Sequence, residues 1–323
     1  MTRGPTITQL EYILAVYEAG HFGRAAAEVG VTQPTLSAQI SKAEDELGVK
    51  IFDRQAKPIV PTPPGRALLE QAQAVVAAHR ALLRHADGGE QLCGSFALGV
   101  IPTLAPYVLP WFLASFARAH PGVELSLYER PTEQIIAELG RGRMDAGILA
   151  TPLDEPGIDE QILFYDPFYL YAHPDEPALE QLEVELETLD ARKLWLLEDG
   201  HCVRTQVTTL CGLDEREHLG SVTFAAGSLE TIRHMIDASE GYTLIPETYA
   251  RTLSKSVRRR CVRAFCDRTP VREVSLVAHR RMWKTDILDA LEAVVRASIP
   301  RALARVGASE ILPVREQIVA CET

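Results

Sequence analysis

Residues 198–211 read EDGHCVRTQVTTLC, with two cysteines, Cys202 and Cys211, nine positions apart and His201 directly before the first. Thiols so placed can be a buried pair, metal ligands, a nucleophile or a switch. Zinc fits poorly, because adjacent His201 and Cys202 project in different directions and C-x8-C is not a finger spacing. The preceding KLWLLE (193–198) reads as a strand, Asp199-Gly200 as a turn and CVRTQVTTL as a helix, which puts Cys202 in the first helical turn with Asp199 as a candidate cap. A helix N-terminus and neighbouring Arg204 both favour thiolate over thiol. A fall in pKa from about 8.5 to about 6 raises the thiolate fraction at pH 7 from roughly 3% to roughly 90%, a gain of only about thirtyfold. Faster chemistry requires hydrogen-bond donors aimed at charge developing on the leaving group.

The elements that hold this stretch belong to a chain of 323 residues, 46% apolar and 24% charged, long enough for two or three globular domains. No apolar run approaches the length of a membrane span, and MTRGPTITQLEYILAV lacks the three regions of a secretory signal, so a cytoplasmic protein is expected. Six cysteines (93, 202, 211, 261, 266 and 321) are too sparse for a disulfide scaffold. Cys93, Cys261 and Cys266 read as inert small hydrophobes, and Cys321 as a residue of an extra tail.

The net charge of −11 is unevenly spread: residues 1–84 hold nine Lys/Arg and eight Asp/Glu, +1 in sum, which leaves −12 for the rest. In this head, Thr6 and Gln9 form a capping box before Leu10, Ile13, Leu14 and Tyr17, the stripe of a helix ending at Gly20. A short alanine-rich helix then runs from Arg24 to Val29, Gly30 stops it, Thr32 caps another, and Pro34 falls in its first turn. Leu36, Ile40, Ala43 and Leu47 face inward, leaving Gln33, Pro34, Thr35, Ala38, Ser41 and Lys42 outward. Such a surface suits a major groove, with Gln reading base edges and Thr, Ser and Lys holding phosphates; the alternative is an ordinary helical hairpin. IFDRQAKPIVPTPPG adds Arg54 and Lys57 on a Pro-punctuated strand pair, as a wing does.

From Thr62 to about Ala86 a helix carries a long stripe that includes Leu68, Leu69, Ala72, Val76 and Leu82, which must pack on its own domain or on a second copy. Beyond HADGG the texture alternates strands (95–101, 123–129, 164–172, 193–198, 242–246, 274–280) with helices, implying α/β lobes around a parallel sheet, with ligands at the carboxyl ends of strands.

Residues 6–66, with GRAAAEVGVTQPTLSAQISKAEDELGVKIFDR and the TPPG turn, resemble the winged helix–turn–helix of LysR-type transcriptional regulators, and the resemblance continues to about residue 300. Within that family LLEDGHCVRTQ, Cys211, GVIPTLAPYVLP and SLETIRHMI are similar to the peroxide-sensing members. The resemblance implies an α/β fold with a winged helix–turn–helix DNA-binding domain (1–62), a linker and dimerisation helix (63–90), a regulatory domain of two Rossmann-like, periplasmic-binding-protein-like subdomains (91–300) and a C-terminal tail (301–323). It also implies a homotetramer, promoter DNA and RNA polymerase as partners, hydrogen peroxide as signal, activation of oxidative-stress genes, and no metal, cofactor, enzymatic role or membrane. The DNA-contacting residues carried over are Gln33, Pro34, Thr35, Ser37, Lys42 and Arg54. The peroxide pocket carried over is Thr103, Thr132, His201 and Arg272 around a peroxidatic Cys202, with Cys211 as resolving thiol. Thr205 departs from the pattern, since the family has Asp there.

Nine helical steps place the Cα atoms of Cys202 and Cys211 about 13.5 Å apart, whereas a disulfide needs roughly 4.4–6.8 Å, so pairing requires unwinding. Closing a ten-residue loop is worth roughly 2.7 kcal/mol, against about two helical turns surrendered, so a labile bridge above about −300 mV is expected. Two other readings share parts of this pattern. A LysR-type regulator with a small effector between its lobes would not need Cys202, and a thiol peroxidase would leave the head unexplained.

Overall fold

The structure, a computed structural model, describes residues 4–86, 92–198, 200, 202–211, 226–266, 269–280, 282, 284–306 and 310–314. His201, Asp199 and Cys321 lie outside the described residues. The chain divides into two compact units, Met1–Leu92 with Arg280–Ile287, and Cys93–His279 with Leu288–Thr323.

In the first unit α1 (Ile7–Ala19) opens on the Thr6/Gln9 capping box and closes on Gly20 at φ 59°. Helix α2 (Phe22–Glu28) starts two residues earlier than the alanine run suggests, because His21 is its N-cap and accepts from Gly23 N and Arg24 N. Thr32 caps α3 (Gln33–Leu47), which ends at Gly48, φ 68°; glycine takes this left-handed turn without steric cost. The wing is β1 (Phe52–Asp53) antiparallel to β2 (Val60–Pro61). Helix α4 (Pro63–Ala86) buries Leu69, Ala72 and Val76 in the core formed by Ile13, Leu14, Leu36 and Ile40, so the near end of its stripe packs on its own domain, while Leu82 is 67% exposed.

In the second unit the β-α-β alternation appears as β3 (Cys93–Val100), α5 (Ala105–Ala119), β4 (Gly122–Glu129), α6 (Thr132–Gly140) and β5 (Ala146–Thr151), with β3 parallel to both β4 and β5. The sheet is mixed rather than parallel throughout. β6 (Ile158–Ala172) and β10 (Pro270–His279) are long antiparallel partners, and β10 inserts antiparallel between β5 and β6. Residues 158–167 of β6 pair with β10, whereas residues 168–172 pair antiparallel with β8 (Tyr242–Pro246) and, in part, with β9 (Val262–Phe265). A short β7 (Glu183–Val184) runs parallel to β9. One strand thus serves two lobes.

The second lobe also holds α7 (Cys202–Cys211), α8 (Leu229–Ala238), α9 (Glu247–Ala250) and α10 (Lys255–Cys261). Residues 193–198 form no regular strand; Leu194 and Leu197 make single bridges to Tyr242 and Ala226. Residues 258–261, RRRC, lie in α10, and Arg258 is committed, paired with Glu247 at 2.6 Å and stacked on Tyr169. Cys261 is buried as expected, but Cys93 and Cys266 are exposed. After α11 (Thr285–Ser298), residues expected in a tail return to the sheet: β11 (Glu310–Ile311) runs parallel to β10, and Leu312 N donates to Val271 O at 2.9 Å. No helix among the described residues is long and apolar enough to cross a membrane.

Candidate functional site

Cys202 is the first residue of α7 and is 6% exposed, and Cys211 is the last, partly exposed; neither is in a disulfide. Ten residues of unbroken helix put their Cα atoms about 13.5 Å apart, as the spacing requires. The helix is a weak one. Five of its ten residues (Val203, Thr205, Val207, Thr208, Thr209) are β-branched, and Thr208 Oγ1 donates back to the carbonyls of Arg204 and Thr205 at 3.0 Å, a competing bond that loosens helices. Its buried stripe is Cys202, Val203, Gln206, Val207 and Leu210. Gln206 is wholly buried, and its Nε2 donates to Leu312 O at 3.5 Å while Oε1 has no partner among the described residues.

The sulfur meets a polar chain assembled from distant segments. Thr103, in the IPT turn that follows β3, is buried with Oγ1 3.9 Å from Cys202 Sγ. Arg272, on β10 and fully buried, donates from Nη1 to Thr103 Oγ1 and from Nη2 to Thr103 O, both at 3.2 Å. Its other face meets Asp166 of β6, also fully buried, through Nε at 3.0 Å and Nη2 at 2.9 Å. Thr248 of α9 completes the group: its N and Oγ1 donate to Asp166 at 2.9 and 2.7 Å, and its Oγ1 accepts from Arg272 at 3.1 Å.

The structure therefore brings Thr103, Cys202 and Arg272 together within the described residues. Thr132 is buried at the first turn of α6, beyond β4; since β3 and β4 are parallel neighbours, it and Thr103 lie at carboxyl ends on the same side of the sheet, but Thr132 stands outside this hydrogen-bond chain. Sequence reading missed Asp166 and Thr248. The signal for Asp166 was a lone carboxylate inside the apolar run FYDPFYLYA, which requires a buried cationic or donor partner.

The electrostatics correct the sequence expectation of an acidified thiol. Burial pushes the Cys202 pKa above its ordinary value, and the Arg272 charge, the Thr103 hydroxyl and the backbone N–H groups of Val203 and Cys202 pull the other way without overcoming it. Helix-end donors act as anticipated, but the cation that counts is Arg272; Arg204 donates to Leu197 O at 2.9 Å.

In the first unit, Gln33, Pro34, Thr35, Lys42 and Arg54 are exposed and Ser37 is half-covered. Arg54 donates to Ser37 Oγ (3.2 Å), Ser41 Oγ (2.8 Å) and Glu44 Oε2 (3.3 Å), and its guanidinium lies 5.1 Å from the Phe22 ring centre. Buried Glu44 accepts from Ile51 N at 2.9 Å and Phe52 N at 3.4 Å, which pins the wing to α3.

The description "Bacterial regulatory helix-turn-helix protein, lysR family" matches residues 7–66, and "LysR substrate binding domain" matches residues 89–299. The chain belongs to the LysR family. Among relatives, a hydrogen peroxide-inducible genes activator of Dickeya chrysanthemi is 41% identical over 244 residues, 74% of this chain and 78% of that protein. A full-length OxyR of Pseudomonas aeruginosa carrying a cysteine-to-aspartate substitution is similar with TM-score 0.68 and 32% identity, over 91% of this chain and 98% of that one. A Corynebacterium glutamicum OxyR cysteine-to-serine mutant with hydrogen peroxide bound has TM-score 0.58 and 29% identity, over 94% of this LysR-family chain and 95% of that one. The two matches place a LysR-type DNA-binding head and a LysR-type regulatory domain in one chain, and the β6/β10 sheet is the α/β architecture of that regulatory domain.

Proposed function

We propose that this LysR-family regulator senses hydrogen peroxide through Cys202 and stores the signal as a Cys202–Cys211 disulfide, controlling genes of the oxidative-stress response. The observation that carries this is a buried thiol facing a hydroxyl polarised by a buried guanidinium, with a second thiol at the far end of the same weak helix. The P. aeruginosa and C. glutamicum relatives named above are OxyR proteins, and the second has hydrogen peroxide bound.

The chemistry runs in two balanced steps. The Cys202 thiolate attacks one peroxide oxygen, an S–O bond forms as the O–O bond breaks, and the departing hydroxide takes a proton to become water. Sulfur is oxidised to a sulfenic acid and peroxide is reduced. The Cys211 thiolate then attacks the sulfenic sulfur, a disulfide forms and a second water leaves. Thr103 and Arg272 supply donors to the charge developing on the leaving oxygen, the role also assigned to Thr132 and His201. With burial pushing the Cys202 pKa up, the placement of these donors is the larger contribution to the rate.

Bridging the two cysteines cannot occur on intact α7, so oxidation rebuilds the second lobe and biases the assembly between two arrangements. The domain limits 1–62, 63–90, 91–300 and 301–323, a homotetramer seamed through α4, RNA polymerase as partner and a cytoplasmic location complete the reading. Gln33, Pro34, Thr35, Ser37 and Lys42 face DNA; Arg54 both braces the wing and lies beside that face.

Tryptic mapping of reduced and peroxide-treated protein, with footprinting on the DNA flanking its own coding region, tests the proposal. A 202–211 crosslink and a footprint that changes with oxidation are expected, both lost in Cys202→Ser. A response that survives Cys202→Ser points to an effector in the cleft, and repeated peroxide turnover without any footprint change points to a thiol peroxidase.

A further inference from the structure

We propose that Asp166 is the positioning residue of this site, holding Arg272 so that the Thr103 hydroxyl is left to donate toward Cys202; the inference rests on the peroxide-sensing reading above. The bonds have a direction. Asp166 presents acceptors only when ionised, and it receives four donors: Thr248 N on Oδ1, and Thr248 Oγ1, Arg272 Nε and Arg272 Nη2 on Oδ2. The carboxylate thereby fixes the guanidinium plane from behind. With Nε so engaged and the two hydrogens of Nη2 shared among Asp166 Oδ2, Thr248 Oγ1 and Thr103 O, Nη1 reaches the Thr103 hydroxyl oxygen. A hydroxyl that accepts from a cation keeps its own proton to donate elsewhere, and the sulfur 3.9 Å away is its neighbour in this chain. The order is carboxylate, guanidinium, hydroxyl, sulfur. Thr248 is the second brace, because its hydroxyl accepts from Arg272 while donating to Asp166.

Asp166 lies beyond the sulfur's own hydrogen bonds, so it acts through Arg272 and is no catalytic group itself. Asn at this position cannot reproduce the pattern. An amide turned to offer its oxygen to Arg272 points its NH2 at the Thr248 N–H, and the opposite flip points it at the guanidinium. One donor pair clashes either way, and Arg272 shifts while its charge goes unneutralised.

Full-length reduced protein is mixed with hydrogen peroxide in a stopped-flow experiment, and Cys202 is separately alkylated with iodoacetamide across a pH series. In Asp166→Asn the peroxide rate is expected to fall by about a hundredfold, the usual loss for a misplaced donor at a developing oxyanion. The alkylation profile is expected to move the opposite way, toward lower pH, because an uncompensated cation beside the sulfur favours thiolate. General loosening of the fold would not produce this divergence. Thr248→Val, which keeps the charge pair and the backbone donor, is expected to lose about tenfold in the peroxide rate, and it decides the matter where Asp166→Asn fails to fold. Peroxide rates within threefold of wild type in a folded Asp166→Asn protein, or in Thr248→Val when Asp166→Asn is unfolded, overturn the proposal. A wild-type protein that forms no 202–211 crosslink would instead overturn the peroxide-sensing reading itself.

Discussion

Cys202 is held between two opposing influences: burial keeps its proton on, while Arg272, Thr103 and two backbone N–H groups favour losing it. Since burial prevails, the thiolate fraction at pH 7 lies below that of an unfolded thiol. Alkylation of the reduced protein should be slower than that of the same thiol in urea, and its rate should still be climbing past about 8.5, the ordinary thiol value. The held proton is also a stabilising contribution, complete below that ordinary value and lost as pH rises through the folded one. A rate profile that levels off below pH 8 would contradict both statements. The buried Arg272–Asp166 pair gives a second expectation. Arg272→Met leaves a carboxylate without its counter-charge where both side chains are 0% exposed, and should cost about 3–5 kcal/mol in urea unfolding. Adding Asp166→Leu should recover most of that stability but none of the peroxide response.

At the scale of elements, α7 is an intact helix of low intrinsic propensity. Replacing the half-covered Thr208 and exposed Thr209 by alanine removes two β-branched residues and the back-bond, and strengthens the helix by about 1 kcal/mol. A steadier reduced state makes the disulfide easier to reduce, by about 20 mV at roughly 30 mV per 1.4 kcal/mol, measurable against a glutathione series. A lower potential would show that the helix does not carry the switch. Because Gln206 links α7 to Leu312, oxidation should also raise amide exchange in residues 310–314. In the head, Glu44→Ala strips the partner from the Ile51 and Phe52 N–H groups and should cost about 3 kcal/mol and weaken DNA binding, since the wing is then unpinned. Much of this architecture could be read along the chain. Thr6 with Gln9, Thr32 and Gly20 mark helix ends locally, and Cys202 and Thr103 sit in short motifs. What stayed hidden was settled by pairing at long range. Residues 193–198 look like a strand but find only single bridges, and nothing local states that β10 will insert antiparallel between β5 and β6. Asp166, a charge in an apolar run, was missed, because its partner lies 106 residues away and nothing near it in the chain names that partner.

For the whole molecule, the proposed tetramer would place paired heads on paired DNA half-sites, so light scattering of reduced and oxidised protein should give four chains in both states while the footprint differs. Dissociation to single chains on oxidation would exclude a change of arrangement within one assembly. One property of the fold reaches further. Thr103, Asp166, Cys202, Thr248 and Arg272 come from five stretches, and the contact between the first and last spans 169 residues of chain. The strand that brings Arg272 is laid into the sheet after every other contributor has been synthesised. On the proposed peroxide-sensing reading, a growing polypeptide on the ribosome would own both cysteines before the site around them exists, so that only a finished, correctly closed domain would report oxidant to the promoter.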